Sequence, residues 1–268
     1  GAYSFGKNIS QKGKYDLFFC LPESFSSALM GYATGAKKRI GFGKELRSLL
    51  LTCAYPQQKN IHRAEQYLFL LEKYFDRKLN SKNISLKKSD VDVSHLLDLE
   101  NGKKKIILNF NSEADSRRMP LNKAVSITNA MMTEIDADYI FIGTESERKF
   151  TDEIISRLGN KEKIKNLSGK TSLKELAAVF QSSDLAISTD SGPAHLANAL
   201  GTKAIVFFGA GDDAITSPVN KNPLNVIRSE AWCQRCVSNT CKLGTQICLT
   251  EIKEDVILMI ANKMLKEN

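Results

Sequence analysis

Several features are missing from this 268-residue chain, and each absence narrows its role. No window approaches the uninterrupted apolar run, about 20 residues, that a membrane-spanning helix needs, so a bilayer crossing is not expected. The opening stretch GAYSFGKNISQKGKYDLFF has no apolar core ending in small residues; no export signal is read, and a cytoplasmic location is expected. No nucleic-acid-binding motif accompanies the basic excess, and the aromatics do not interleave with it, which sets nucleic acid aside as a partner. No internal repeat or low-complexity tract interrupts the sequence.

What remains is an ordinary soluble composition, 42% apolar and 25% charged, in a chain long enough for two domains. The formal charge of +8 rests on scattered lysines, with one denser patch in AKKRIGFGKELR, residues 36–47. Such a patch is a solvated surface or a place for an acidic partner, an anionic lipid or a phosphorylated glycan. Six cysteines divide unevenly. Cys20 and Cys53 sit among apolar residues and read as buried thiols. Cys233, Cys236, Cys241 and Cys248 fall together in WCQRCVSNTCKLGTQIC. Without an export signal, structural disulfides are not expected. Zinc held by the four thiols is the lesser reading, because the spacing is tighter than in a usual ribbon or finger. Reduced or redox-paired thiols bracing a loop are favoured, and no metal is assigned.

Short β-branched or aromatic runs alternate with amphipathic helical stretches, which predicts an α/β protein. YDLFFCL and KRIGF read as strands, SFSSALMGYATG and HRAEQYLFLLEKYF as helices. Residues 78–104 are polar and weakly periodic and read as an interdomain connection. From KIILNF onward, strands YIFIG, IKNLSG, DLAIST and KAIVFFG alternate with helices, the pattern of a doubly wound parallel sheet. EDVILMIANKMLK closes the chain as an amphipathic helix.

Ligands of such sheets bind beyond the carboxyl ends of the strands, so the loops there carry the candidate chemistry. After AIST comes Asp190-Ser191-Gly192-Pro193. Ser191 suits a helix cap and Pro193 a first turn. Gly192 leaves room for a phosphate at the positive helix end, whereas Asp190 suits a sugar hydroxyl. His195 lies in the same turn. After IILNF, Ser112 offers a hydroxyl and Arg117 a fixed charge for a leaving diphosphate. After YIFIG, Glu147 could take two ribose hydroxyls, and after VFFG the loop AGDDAITSP is small enough to close over phosphates. Any one of these residues alone reads better as a cap or a surface ion pair. Four such loops at one edge describe a pocket for a nucleotide diphosphate sugar.

The stretch NLSGKTSLKELAAVFQSSDLAISTDSGPAHLANALGTKAIVFFGAGD resembles the donor-binding half of the bacterial heptosyltransferases of lipopolysaccharide core synthesis, glycosyltransferase family 9. YDLFFCLPESFSSALMGYATGAKKRIGFGKELR is similar to the family's acceptor domain, and the cysteine tail to members called heptosyltransferase II. The resemblance implies a GT-B fold of two Rossmann-like domains: residues 1–95 for the acceptor, 96–250 for the donor, and 251–268 a helix returning toward the first. It implies inverting transfer of heptose from ADP-heptose to the inner core, with no cofactor required and peripheral contact at the inner membrane. Another nucleotide sugar, or binding without catalysis, are the alternatives. Lys37, Lys38, Arg39 and Arg47 would meet the acidic acceptor or the membrane surface.

Carried over by residue, Asp190 stands beside the donor sugar and Arg117, where the family has a lysine, grips phosphate; these two are the catalytic candidates. Ser112, Ser191 and Gly192 would hold phosphate, with His195 behind them. Thr171 would meet adenine and Glu147 ribose. Gly209 and Gly211 belong to the loop where the family usually shows Pro-Thr at 210–211. The Gly-Asp turn that carries the family's expected base is not found near the start, so the first domain is expected to be truncated.

Overall fold

The computed structural model describes residues 1–79, 83–97, 102–220 and 223–267. It divides into two compact units, Gly1–Lys82 and Asn83–Asn268. The division falls earlier than the 95/96 boundary read from sequence. The reason is packing: Val93 and Leu97, within the polar segment, are buried in the core of the second unit. Residues 80–82 and 98–101 of that segment lie outside the described residues.

The first unit contains α1 (Ala2–Ser10), β1 (Leu17–Cys20), α2 (Phe25–Ala33), β2 (Lys38–Phe42), a 3-10 stretch Glu45–Leu50, β3 (Cys53–Tyr55) and α3 (Arg63–Phe75). Its three strands are parallel in the order β1-β2-β3. Ser24 caps α2, its hydroxyl accepting the Ser27 N–H at 3.2 Å. α1 approaches α2 closely at Gly6, where a Cβ would meet the Met30 carbonyl oxygen at 2.4 Å. Ile40, Phe42 and Leu70 form the core between β2 and α3. Cys20 is buried as expected, whereas Cys53 is only half-buried because β3 is a sheet edge.

Arg47 corrects the reading of the basic patch. It is 3% exposed, donating to the carbonyls of Pro22 (2.9 Å) and Phe42 and to the Cys20 sulfur (3.2 Å). A guanidinium enclosed by backbone acceptors is a brace for the β1–α2 loop, not a surface charge. Arg39 is likewise turned back, onto the carbonyls of Ala36 and Leu50, at 2.8 Å each. Lys37 and Lys38 remain exposed.

The second unit contains β4 (Lys104–Asn109), α4 (Leu121–Glu134), β5 (Ala137–Phe141), α5 (Arg148–Ser156), β6 (Ile164–Asn166), α6 (Leu173–Gln181), β7 (Leu185–Thr189), α7 (Gly192–Leu200), β8 (Ala204–Phe207), α8 (Asp213–Thr216), β9 (Leu224–Ile227), α9 (Ile247–Thr250) and α10 (Glu254–Lys266). All six strands are parallel, in the order β6-β5-β4-β7-β8-β9. β4 and β7 are adjacent, and the chain leaves them toward opposite edges; a crevice opens at that reversal.

Both faces of the sheet are covered, which is why its strands read as continuous apolar runs. Ile106 and Leu108 face one core layer and Ile107 the other. Each fully buried Ile, Leu or Phe of these layers contributes about 1.5–3 kcal/mol. The terminal helix α10 belongs to the first layer: Ile257, Ala261 and Met264 are buried there, and Glu254 joins it to α4 through Lys123 and Ser126, at 2.7 Å each. Its apolar stripe is thus used within the second unit.

Candidate functional site at the sheet switch point

The crevice between β4 and β7 is built by polar side chains at the strand ends. Asn109, the last residue of β4, is buried and donates to the hydroxyls of Ser188 (3.0 Å) and Ser191 (2.9 Å). Thr189 donates to the Asn111 carbonyl at 2.6 Å. These bonds strap the two loops together. They also redirect Ser191, whose hydroxyl donates to the Thr189 carbonyl at 3.1 Å and makes no capping bond to α7. The cap expected from sequence is therefore absent, and the positive start of α7 is left for another acceptor. Gly192 is exposed there, with open space where a Cβ would project.

Asp190 is 5% exposed, with Oδ2 at 3.7 Å from Arg117 Nη1. Neither Asp190 Oδ2 nor Arg117 Nε has a hydrogen-bond partner. Burial raises the Asp190 carboxyl above its ordinary value; Arg117 opposes the shift and Asp213 adds to it. Gly211 presses against this acid: a Cβ there would fall 2.1 Å from Oδ2.

Two hollows meet at this point. The larger, about 680 Å³, is lined by Ser112, Glu147, Thr171, Ser191 and Gly192, with an apolar wall from Ile142, Leu173, Leu176 and Leu196. The other, about 570 Å³, is lined by Arg117, Asp190, Ser112 and Gly192, with Asn239 and Thr240 closing it. Seven of the sequence-predicted residues thus line two adjoining spaces that share Ser112, Ser191 and Gly192.

Three predicted residues stand elsewhere. His195 is exposed in the first turn of α7 and lines neither hollow. Gly209 is buried against Cys248, whose sulfur a Cβ would meet at 2.8 Å. Gly211 makes room for Asp190 and does not line the hollows. Glu147 lines the larger space but already commits Oε2 to the N–H and hydroxyl of Thr144, at 2.7 and 2.9 Å.

Sequence reasoning missed Asn109, Asn239, Thr240 and Gly169. An asparagine ending an otherwise apolar run was the available signal for Asn109. Gly169 has φ +68°, and a Cβ there would collide with Glu145.

The four clustered cysteines are free thiols around a separate hollow of about 480 Å³. Burial and the three neighbouring sulfurs push Cys248 up to about 11. Among the described residues, no group of three His, Cys, Asp or Glu is gathered closely enough to hold a metal ion. No described helix is long and apolar enough to cross a membrane.

Comparison with known proteins agrees with this geometry. The chain is 27% identical over 258 residues to lipooligosaccharide heptosyltransferase 2 of Campylobacter jejuni serotype O:2, covering 96% of this chain and 77% of that protein. The solved structure of the glycosyl transferase family 9 from Veillonella parvula superposes with a TM-score of 0.78 at 18% identity, covering all of this chain and 78% of that one. The ADP-heptose lipopolysaccharide heptosyltransferase II of Escherichia coli gives 0.78 at 20%, covering 98% of this chain and 80% of that one. Both support the GT-B architecture. The model of glycosyltransferase family 9 (heptosyltransferase) matches residues 2–247, and this chain is therefore a member of that family of glycosyltransferases.

Proposed function

We propose that the chain transfers heptose from ADP-heptose to a hydroxyl of the lipopolysaccharide inner core, with inversion. The observation that carries this reading is the pair of buried Asp190 and half-buried Arg117 beside the uncapped start of α7. In this reading the nucleoside occupies the larger hollow. Adenine lies near Thr171 and the apolar wall of Leu173, Leu176 and Leu196, and ribose near Glu147. The diphosphate sits where the hollows meet, among Ser112, the α7 amides and the Arg117 guanidinium. These donors are fixed before the reaction, so they can meet the charge that develops on the departing ADP without reorganising.

Asp190 takes the sugar. A carboxylate would repel phosphate, but one buried with an unpartnered oxygen is suited to accept a hydroxyl hydrogen. Inversion then follows from one displacement at the anomeric carbon: the acceptor oxygen attacks as the bond to diphosphate breaks, and a base takes the acceptor proton. The first unit, with exposed Lys37 and Lys38 at the start of β2, is assigned to the anionic acceptor and to the membrane surface that presents it.

Titration calorimetry with ADP and ADP-heptose, paired with a transfer assay on inner-core acceptors of heptose, tests the proposal. ADP binding that weakens about tenfold or more in Arg117→Ala is expected. Binding without turnover would replace the enzyme reading with that of an ADP-sugar-binding module. No ADP binding would reject the donor site altogether.

A further inference from the structure

The hollow that holds Asp190 and Arg117 has a wall for which the diphosphate has no use. Asn239 and Thr240 form it, on the segment between Cys236 and Cys241. The backbone of that segment is fixed. Val237 N–H donates to the Ala210 carbonyl at 2.8 Å, and Ser116 N–H donates to the Asn239 carbonyl at 3.0 Å. The hydroxyl of Ser116, a residue only 2% exposed, donates to the Ser238 carbonyl. The Ser238 hydroxyl in turn donates to the Thr240 carbonyl at 2.7 Å. Three successive carbonyls, those of Ser238, Asn239 and Thr240, are thus occupied. The side-chain amide of Asn239 and the hydroxyl of Thr240, by contrast, bond to none of the described residues. A fixed backbone carrying uncommitted polar groups is what recognition requires: the groups are already placed, and their hydrogen bonds are still to be made.

The charge of the hollow narrows what they can meet. Glu113, Asp115 and Asp190 line it against the single guanidinium of Arg117, so a further anionic group beyond the diphosphate is disfavoured. A neutral polyol suits it. An amide offers two donors and an acceptor, and a hydroxyl offers both functions, which complements neighbouring sugar hydroxyls. We propose that Asn239 and Thr240 read the donor sugar: they hydrogen-bond its hydroxyls, and so set which neutral sugar the chain accepts. This rests on the donor-site reading above, and it adds a set of contacts that ADP itself does not make.

Equilibrium binding of ADP, ADP-heptose and an ADP-hexose to the whole chain, with no acceptor present, tests the proposal. Asn239→Ala and Thr240→Val should each weaken ADP-heptose by about tenfold, while ADP binds as it does to the parent chain. Thr240→Ser, which keeps the hydroxyl, should retain most of the affinity. The preference for ADP-heptose over the ADP-hexose should shrink in Asn239→Ala. Both residues are exposed, so the variants should fold. Equal losses for ADP and ADP-heptose would make the wall merely structural. Unaltered ADP-heptose affinity would place both residues away from the donor sugar, and an unchanged preference over the ADP-hexose would deny them selectivity. Each of these outcomes overturns the proposal. A parent chain that binds no ADP rejects the donor site and this proposal together, whereas a binding parent with unaltered variants rejects this proposal alone.

Discussion

Ser172 and Ser191 occupy the same position, the N-caps of α6 and α7, in loops that follow successive strands of the chain, β6 and β7. Ser172 completes a capping box: its hydroxyl accepts the Glu175 N–H at 3.3 Å, and the Glu175 carboxylate accepts the Ser172 N–H at 2.7 Å. Those bonds hold the Glu175 carboxyl below its ordinary value. Ser191 faces an otherwise similar turn, yet Asn109 draws its hydroxyl sideways. One helix start is thus closed by its own residues and the other is kept open by a residue 82 positions away. The difference separates a helix end that stabilises the fold from one that is available to bind an anion.

The sharpest way to break the comparison is at the acid beside the open end. Asp190→Ala should lower transfer by about 100–1000-fold with the thermal midpoint little changed; near-normal turnover would remove the acid from the mechanism. Next comes the residue that keeps α7 open. Asn109→Ala frees Ser191 to cap the helix and should weaken ADP binding by about tenfold, the worth of roughly one or two hydrogen bonds. Calorimetric affinity equal to the parent chain would show that the opening does not matter.

The two serines themselves should behave oppositely. Ser172→Ala should cost about 1 kcal/mol of unfolding free energy and leave ADP affinity intact. Ser191→Ala should cost less stability but reduce the affinity; denaturant titration and calorimetry on both variants decide between these outcomes. The smallest effect concerns pH. Burial raises Asp190, so the folded chain keeps a proton that the unfolded chain releases above its ordinary 3.8. Stability should therefore fall as pH rises from that value through the raised one and level off beyond it. Asp190→Asn should flatten this part of the profile, and identical pH profiles would contradict the shift.

How much of this was legible beforehand depends on how local the cause is. Strands β4, β5, β7 and β8 were read easily because both of their faces are buried and their apolar runs are unbroken. β3, with three residues, and β9, following Pro223, gave too little periodicity, and α1 was not read at all. The switch-point rule found Ser112, Arg117, Glu147, Asp190, Ser191 and Gly192, because a polar loop after a buried strand announces itself; Thr171 came only from the family resemblance. It could not find Asn239 and Thr240, which arrive from the cysteine segment through the Ser116–Asn239 bond. Nor could charge alone tell Arg47, enclosed by carbonyls, from the exposed lysines beside it.

The glycine at 211 has a use beyond accommodating its neighbour. Because a methyl group there would stand 2.1 Å from Asp190 Oδ2, a single alanine would force the acid into another rotamer while leaving its chemistry untouched. Position 211 is thus a steric lever on a functional group that it does not belong to. It offers a way to ask whether the site depends on having a carboxylate or on where that carboxylate points.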